Sequence, residues 1–66
     1  MNKAILKEAI KSGIKVDTNN VVYNSRSMDI NKFLYEVTKL QFTRPLSICV
    51  NICKEKFFKV NNRSEF

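Results

Sequence analysis

The spacing of apolar residues predicts a helix near the start of the chain. Four of them recur at intervals that place their side chains on one helical face: Ile5, Leu6, Ala9 and Ile10. Gly13 then stands where helices end in a left-handed residue, and Ile14 can fold back on the last turn. We therefore expect a first helix over about residues 2–12.

The pattern then changes to one that predicts a β-hairpin. Ile14 and Val16 alternate with Lys15, and β-favouring residues resume at 21–23. The intervening DTNN contains Asp and Asn, which tolerate turn geometry and bond their own backbone. We expect a hairpin centred on Asp17–Asn20, followed by a loop over the NSRS sequence. A two-stranded ribbon is marginally stable alone, so a helix must pack on it.

The segment DINKFLYEVTKLQF has the clearest helical pattern in the chain. Its apolar residues fall within an arc of roughly 120° on a helix of 3.6 residues per turn: Ile30, Phe33, Leu34, Val37 and Leu40. Ser27 or Asp29 is placed to cap this second helix at its N-terminus. The sequence TRP then ends it, because the residue before a proline avoids helical geometry.

The segment RPLSICVNICKEKFFKV fits either a helix or a strand. As a strand, one face would carry Leu46, Ile48, Val50 and Ile52. As a helix, one face would carry Leu46, Cys49, Val50, Cys53, Phe57 and Val60. Local propensity favours the strand, but a strand would need a turn in KEK, and the stop signals lie instead at Pro45 and Asn61–Asn62. We expect a third helix over 45–60, with a strand at 46–53 as the alternative.

These elements predict an α+β fold of helix, short hairpin, helix and helix, with one layer of helices over a two-stranded ribbon. The 66 residues are expected to form a single domain, with 61–66 a frayed tail. A core of this size supplies only about 3–5 kcal/mol of net stability, so small chains often rely on a disulfide, a metal or a partner subunit. A homodimer is one such solution.

The residue types in the chain argue against chemistry. Cys49 and Cys53 do not have CxxC spacing, and no histidine is present to complete a metal site. We expect the two cysteines to pack in the core, with a four-sulfur zinc site shared by two chains as the alternative. The missing histidine and the single glycine also exclude the common general base and glycine-rich phosphate loops. We expect no catalytic residue, no metal, no cofactor and no enzymatic activity.

The net charge of +6 suits an acidic partner, and it is concentrated at the two ends of the chain. Residues 1–16 and 44–66 each carry +3, while 17–43 are neutral overall. The candidate binding residues are Lys3, Lys7 and Lys11 on helix one, Lys32, Tyr35 and Lys39 on helix two, and Arg26 and Arg44 in the loops beside helix two. An exposed tyrosine between cations can stack on a base or anchor a protein interface.

A second apolar strip on helix three supplies the interface candidates Ile48, Ile52 and Phe58. A helix-turn-helix function is disfavoured, because a recognition helix needs polar side chains near its start and this one begins LSICVNIC. We expect a small, non-catalytic, basic regulator that binds a macromolecular partner, and we favour a protein. Nucleic-acid binding through the lysine row and the Lys/Tyr patch is the alternative. With no apolar run near the roughly 20 residues that span a bilayer, and no signal peptide, we expect a cytoplasmic protein.

Overall fold

The computed structural model describes residues 3–59 and contains three helices and a three-stranded antiparallel sheet. The elements in chain order are α1 (Lys3–Lys11), β1 (Lys15–Asp17), β2 (Asn20–Tyr23), β3 (Arg26–Asp29), α2 (Ile30–Leu40) and α3 (Leu46–Phe57). The expected α+β class and the order of the helices are confirmed. The described residues contain no helix that is long and apolar enough to cross a membrane.

The first hairpin has its turn where the sequence predicted it. Asp17 pairs with Asn20 at the end of the β1–β2 ladder, so Thr18 and Asn19 form the turn between them. Thr18 adopts a φ of 52°, in the left-handed region that a β-branched residue rarely occupies. This turn therefore carries backbone strain at one position.

The expectation that NSRS forms a loop is wrong for Arg26 and Ser27, which begin β3. Asn24 and Ser25 have φ values of 53° and 62°, and this pair of left-handed residues makes the two-residue turn that leads from β2 into β3. Met28 alone in β3 is partly buried. Main-chain pairing with β2, rather than an apolar face, thus holds this strand in the sheet.

The end of α1 has the geometry of a Schellman motif. The N–H of Ile14 donates to the carbonyl of Ala9, and the N–H of Gly13 donates to the carbonyl of Ile10; both N···O distances are 3.0 Å. Gly13 has a φ of 100°, which residues with a Cβ rarely adopt. Ile14 is buried as predicted, whereas Ile10 is 57% exposed. Ile10 lies about 140° around the helix from Ile5, and thus at the edge of the apolar face.

Asp29 caps α2, which was one of the two predicted possibilities. Its carboxylate Oδ1 accepts from the N–H of Asn31 at 2.8 Å and from that of Lys32 at 3.3 Å. The predicted apolar face of this helix is turned inward: Ile30, Phe33 and Val37 are buried, and Leu34 and Leu40 pack against the core. The cap fixes where β3 ends and α2 begins.

The ambiguous segment is a helix, and the alternative of a strand at 46–53 is wrong. Cys49, Val50 and Cys53 are buried on the predicted face. The helix ends at Phe57, so its expected continuation is wrong for Phe58 and Lys59, which are not helical. Val60 and the tail 61–66 lie outside the described residues. This inward face is what joins α3 to the rest of the core.

Phe58 must be removed from the interface candidates, because its side chain is 0% exposed. Its backbone leaves the helix with φ −118° and ψ 14°, so the helical spacing used to assign its face no longer applies. Its ring lies edge-on to Tyr23 with centroids 6.1 Å apart, and 6.3 Å from that of Phe33. Phe58 is therefore a core residue that joins α3 to the sheet and to α2.

Two long-range hydrogen bonds fix α3 in place. Lys54 Nζ donates to the carbonyl of Ser12 at 2.7 Å and lies 4.5 Å from the ring centroid of Tyr23. Asn24 Nδ2 donates to the carbonyl of Phe58 at 2.9 Å. The first contact ties α3 to the end of α1, and the second ties it to the β2–β3 turn. Both bonds hold the C-terminal part of α3, and this gives its outward face a defined position there.

Candidate functional site

The outward face of α3 carries two branched apolar side chains that the fold leaves uncovered. Ile48 is 44% exposed, and Ile52, one turn later, is partly exposed. Both point away from the buried side of the helix. Around them is a shallow concavity of about 430 Å³, here named the α3 surface, lined by Ile48, Asn51, Ile52, Glu55, Lys56 and Lys59.

The charged residues of the α3 surface lie toward its C-terminal end. Lys56 and Lys59 are exposed and outnumber Glu55. The Nζ of Lys56 lies 5.3 Å from the ring centroid of Phe57, so its aliphatic stem stays against the helix. The surface therefore combines an apolar strip with a basic end.

The two cysteines lie on the buried face of α3, opposite the α3 surface, and are poorly placed for nucleophilic chemistry. Cys49 and Cys53 are free and buried, as their predicted role in packing requires. Cys49 Sγ donates to the carbonyl of Arg44 at 3.6 Å. Burial, together with the charge of Glu36 and the neighbouring Cys49, raises the pKa of the Cys53 thiol to about 11, so it stays protonated at neutral pH.

No cluster of three or more metal-binding His, Cys, Asp or Glu side chains occurs among residues 3–59. The zinc site built from two chains would need both thiols to reach a second molecule. Since Cys49 and Cys53 are 0% and 1% exposed, that site would require α3 to leave its place in the core. The geometry therefore favours packing over metal binding for both residues.

On α2 the structure brings Tyr35 and Lys39 together. Tyr35 is 62% exposed, and Lys39 Nζ lies 5.0 Å from its ring centroid. The same ammonium group lies 3.2 Å from Glu36 Oε1, so part of its charge is balanced locally. Lys32 is exposed on the same side of the helix, one turn earlier. This patch has the composition that was predicted, with one cation already engaged.

The lysine row of α1 faces solvent. Lys3, Lys7 and Lys11 are all exposed, and successive members are separated by about 6 Å along the helix axis. Lys11 Nζ lies 3.8 Å from Glu8 Oε1, but an exposed ion pair of this kind restrains a lysine only weakly. The row is thus an accessible set of cations at one-turn intervals.

The two arginines are exposed but do not extend either patch through any described contact. Arg26 lies in β3 beside the β2–β3 turn rather than in a loop. Arg44 lies between α2 and α3, where its Nη1 donates to Thr43 Oγ1 at 3.0 Å.

Three exposed residues of interest were missed by the sequence pattern. Phe42, in the turn after α2, is 87% exposed, and its position next to the TRP break could have indicated that it lies beyond the helix. Lys56 and Lys59 were not candidates, although Lys56 follows Ile48 and Ile52 at regular four-residue intervals. Extending that interval by one turn would have found the basic end of the α3 surface.

Comparison with known proteins gives no relative for this chain. No protein-family model matches the sequence, and no significant match is found to a curated protein or to a solved structure.

Proposed function

We propose that this chain is a small non-catalytic regulator that acts by binding another protein through the α3 surface. One observation supports this proposal above the others: Ile48 and Ile52 are adjacent and accessible on a helix whose opposite face already fills the core. Full burial of an isoleucine side chain contributes about 1.5–3 kcal/mol, so covering even the exposed parts of two of them favours association. A protein that supplies apolar side chains would gain this energy.

The composition of the α3 surface suits a protein better than a nucleic acid. Protein interfaces have an apolar, fully buried centre and a polar rim. Ile48 and Ile52 supply such a centre, and the charged side chains at the C-terminal end supply part of the rim. Nucleic acids are bound mainly through phosphate contacts and base stacking, neither of which uses a branched aliphatic strip.

A photo-crosslinking amino acid at position 48 tests the proposal, with the same residue at position 10 as the matched control. Ile10 is more exposed than Ile48 and lies on a different helix, so crosslinking from position 10 measures non-specific association with an exposed isoleucine. We expect one protein to crosslink from position 48 and not from position 10. That protein is then purified and titrated against the wild-type chain and an Ile48→Ser/Ile52→Ser variant.

The wild type should bind the purified protein, and the double variant should lose about tenfold or more in affinity, equivalent to about 1.4 kcal/mol. Far-UV circular dichroism of the variant checks that the fold is retained, since both positions lie outside the buried core. Crosslinking to nucleic acid alone, equal crosslinking from both positions, or unchanged affinity in the double variant would each contradict the proposal.

Nucleic-acid binding is the second candidate, favoured by the exposed one-turn spacing of Lys3, Lys7 and Lys11. The test is fluorescence anisotropy with a mixed-sequence duplex and a single strand at about 50 and 200 mM salt, where phosphate contacts make binding fall steeply with salt. A Lys7→Glu/Lys11→Glu variant should abolish the binding, and a Lys56→Glu variant should retain most of it. Absence of binding by the wild type at low salt would exclude this candidate.

A further inference from the structure

The α3 surface also indicates the chemistry of its occupant. We infer that it binds an acidic amphipathic helix of a partner protein, which lies along α3 with its apolar side chains over Ile48 and Ile52 and its carboxylates at Lys56 and Lys59. This inference rests on the proposed function and adds the class of partner to it.

The shape of the surface favours a helix over an extended segment. Ile48, Ile52 and Lys56 follow one another at four-residue intervals, so the strip is straight, one side chain wide and about 12 Å long. An extended peptide gains its affinity by adding main-chain hydrogen bonds to a sheet edge. The main chain of α3 is already bonded within the helix, so it offers no such edge. Two or three turns of a partner helix match the length and width of the strip.

The charge of the surface favours an acidic occupant. The α3 surface itself carries a net positive charge, because it contains Lys56 and Lys59 but only one carboxylate, that of Glu55. The chain as a whole carries +6, which steers acidic molecules toward it and repels basic ones.

The same charges disfavour a second copy of this chain as the occupant. In an antiparallel pairing of two α3 helices centred on Ile52, Lys56 of each copy would face the Ile48 end of the other, and the lysine ammonium groups would have no carboxylate opposite them. Each copy also brings a net charge of +6. Like charges brought together across an interface are destabilising, so the strip alone would have to overcome the repulsion.

A displayed library of 14-residue helical peptides tests this inference. The positions on one face of the peptide helix and beside that face are varied among Leu, Ala, Ser, Gln, Glu and Lys. The library is selected on the full chain, with counter-selection on the Ile48→Ser/Ile52→Ser variant. We expect the enriched peptides to carry leucines three and four residues apart on one face and an excess of glutamate over lysine beside them. Their affinities are then measured by fluorescence anisotropy.

The lysines are tested by charge reversal with a matched control of equal charge change. Lys56→Glu/Lys59→Glu should weaken the selected acidic peptides by about tenfold or more, while Lys3→Glu/Lys7→Glu, on a different helix, should weaken them by about threefold or less through long-range attraction alone. Equal effects of the two double variants would overturn the assignment of the carboxylates to Lys56 and Lys59. Circular dichroism checks that each variant is folded.

The outcomes separate this inference from the proposed function. Enriched peptides that need Ile48 and Ile52 but are neutral or basic would overturn the acidic helix and leave the protein-binding role standing. Enrichment that ignores the isoleucines, or no enrichment at all, would overturn the acidic helix, whereas the crosslinking experiment decides the protein-binding role by itself. Sedimentation velocity provides the remaining check, because a dimer abolished by Ile48→Ser/Ile52→Ser would make a second copy the occupant.

Discussion

Replacing Lys54 by methionine should destabilise the fold more than replacing any exposed lysine. Its ammonium group donates a 2.7 Å hydrogen bond to the carbonyl of Ser12 and lies over the ring of Tyr23. Ser12 follows the last turn of α1, where helix carbonyls lack partners and a cation is favoured. Methionine keeps most of the apolar stem of the lysine, so the substitution removes mainly the charge and the hydrogen bond.

The magnitude follows from these contacts. A hydrogen bond to a charged group contributes about 1.5–3 kcal/mol, and a cation over an aromatic ring about 0.5–2 kcal/mol. Lys54 is only partly buried, and water can reach the carbonyl of Ser12 after the substitution, so the sum is reduced. We expect a loss of about 2 kcal/mol in the free energy of unfolding, which for a domain of this size lowers Tm by roughly 8–16 °C.

Urea denaturation followed by far-UV circular dichroism measures this loss, with Lys7→Met as the control. Lys7 is exposed on α1, and its substitution should change the free energy of unfolding by less than about 0.5 kcal/mol. Adding Tyr23→Leu to the wild type and to Lys54→Met completes a double-mutant cycle. Its coupling energy isolates the contact between Lys54 and the ring of Tyr23. We expect a coupling energy of about 0.5–1 kcal/mol.

Equal stability losses for Lys54→Met and Lys7→Met would refute the reasoning, because they would show that the two contacts contribute nothing beyond surface charge. A large loss with no coupling to Tyr23 would instead assign the whole effect to the carbonyl of Ser12. Either result is readable from the same four unfolding curves together with the control.

Three further predictions concern the core and one turn. The pKa of the Cys53 thiol is about 11 in the folded chain against 9.0 for a free thiol, so the unfolded chain loses this proton first. The free energy of unfolding should therefore fall by about 2 kcal/mol as pH rises from 9 to 11, and a Cys53→Ala variant, compared by urea unfolding across that range, should lack this component. Thr18→Gly should stabilise the chain by about 0.5–1 kcal/mol, because Thr18 has a φ of 52°, and a drop in Tm would contradict the strain assigned there. Phe58→Ala should cost about 3–5 kcal/mol and leave little folded protein by circular dichroism, whereas Phe42→Ala should change stability by less than about 0.5 kcal/mol; similar effects of the two would contradict the placement of Phe58 in the core.

The helices could be predicted because their apolar residues repeat at the helical period. The inward face of α2 and the Schellman end of α1 at Gly13 were both evident in the sequence. The choice of a helix for α3 was correct despite its poor propensity, because KEK, where a strand would have had to turn, contains no Gly, Pro, Asn or Asp. The positions of turn and helix-stop residues were thus more informative than secondary-structure propensity where the two disagreed.

β3 and Phe58 were missed for different physical reasons. The strand RSMD carries one partly buried side chain, Met28, so its stability comes from main-chain pairing that leaves no trace in an apolar pattern. Phe58 was assigned by helical spacing, but it follows the last helical residue, and its backbone turns the ring inward. A face assignment holds only as long as the helix continues, so residues at helix ends are the least predictable.

The candidate site was predictable only in outline. Exposure of Ile48, and of the cations on α1 and α2, follows from the face opposite the core and was expected. The engagement of Lys54 with Ser12, which removes it from any binding surface, depends on how α3 crosses α1. Nothing local to either segment encodes that crossing, since 42 residues separate the two partners.

The strand order of the sheet, β1-β2-β3, has a consequence for how the chain folds. Each strand pairs with its neighbour in sequence across a turn of two residues, so the sheet closes only short loops and should form early. The two hydrogen bonds that hold α3 join residues separated in sequence by 42 and by 34 positions. Forming them requires closing long loops, which costs chain entropy before the bonds can stabilise the fold. Docking of α3 is therefore the step we expect to limit the folding rate, and an intermediate that lacks it would expose the ring of Phe33 and be prone to aggregation.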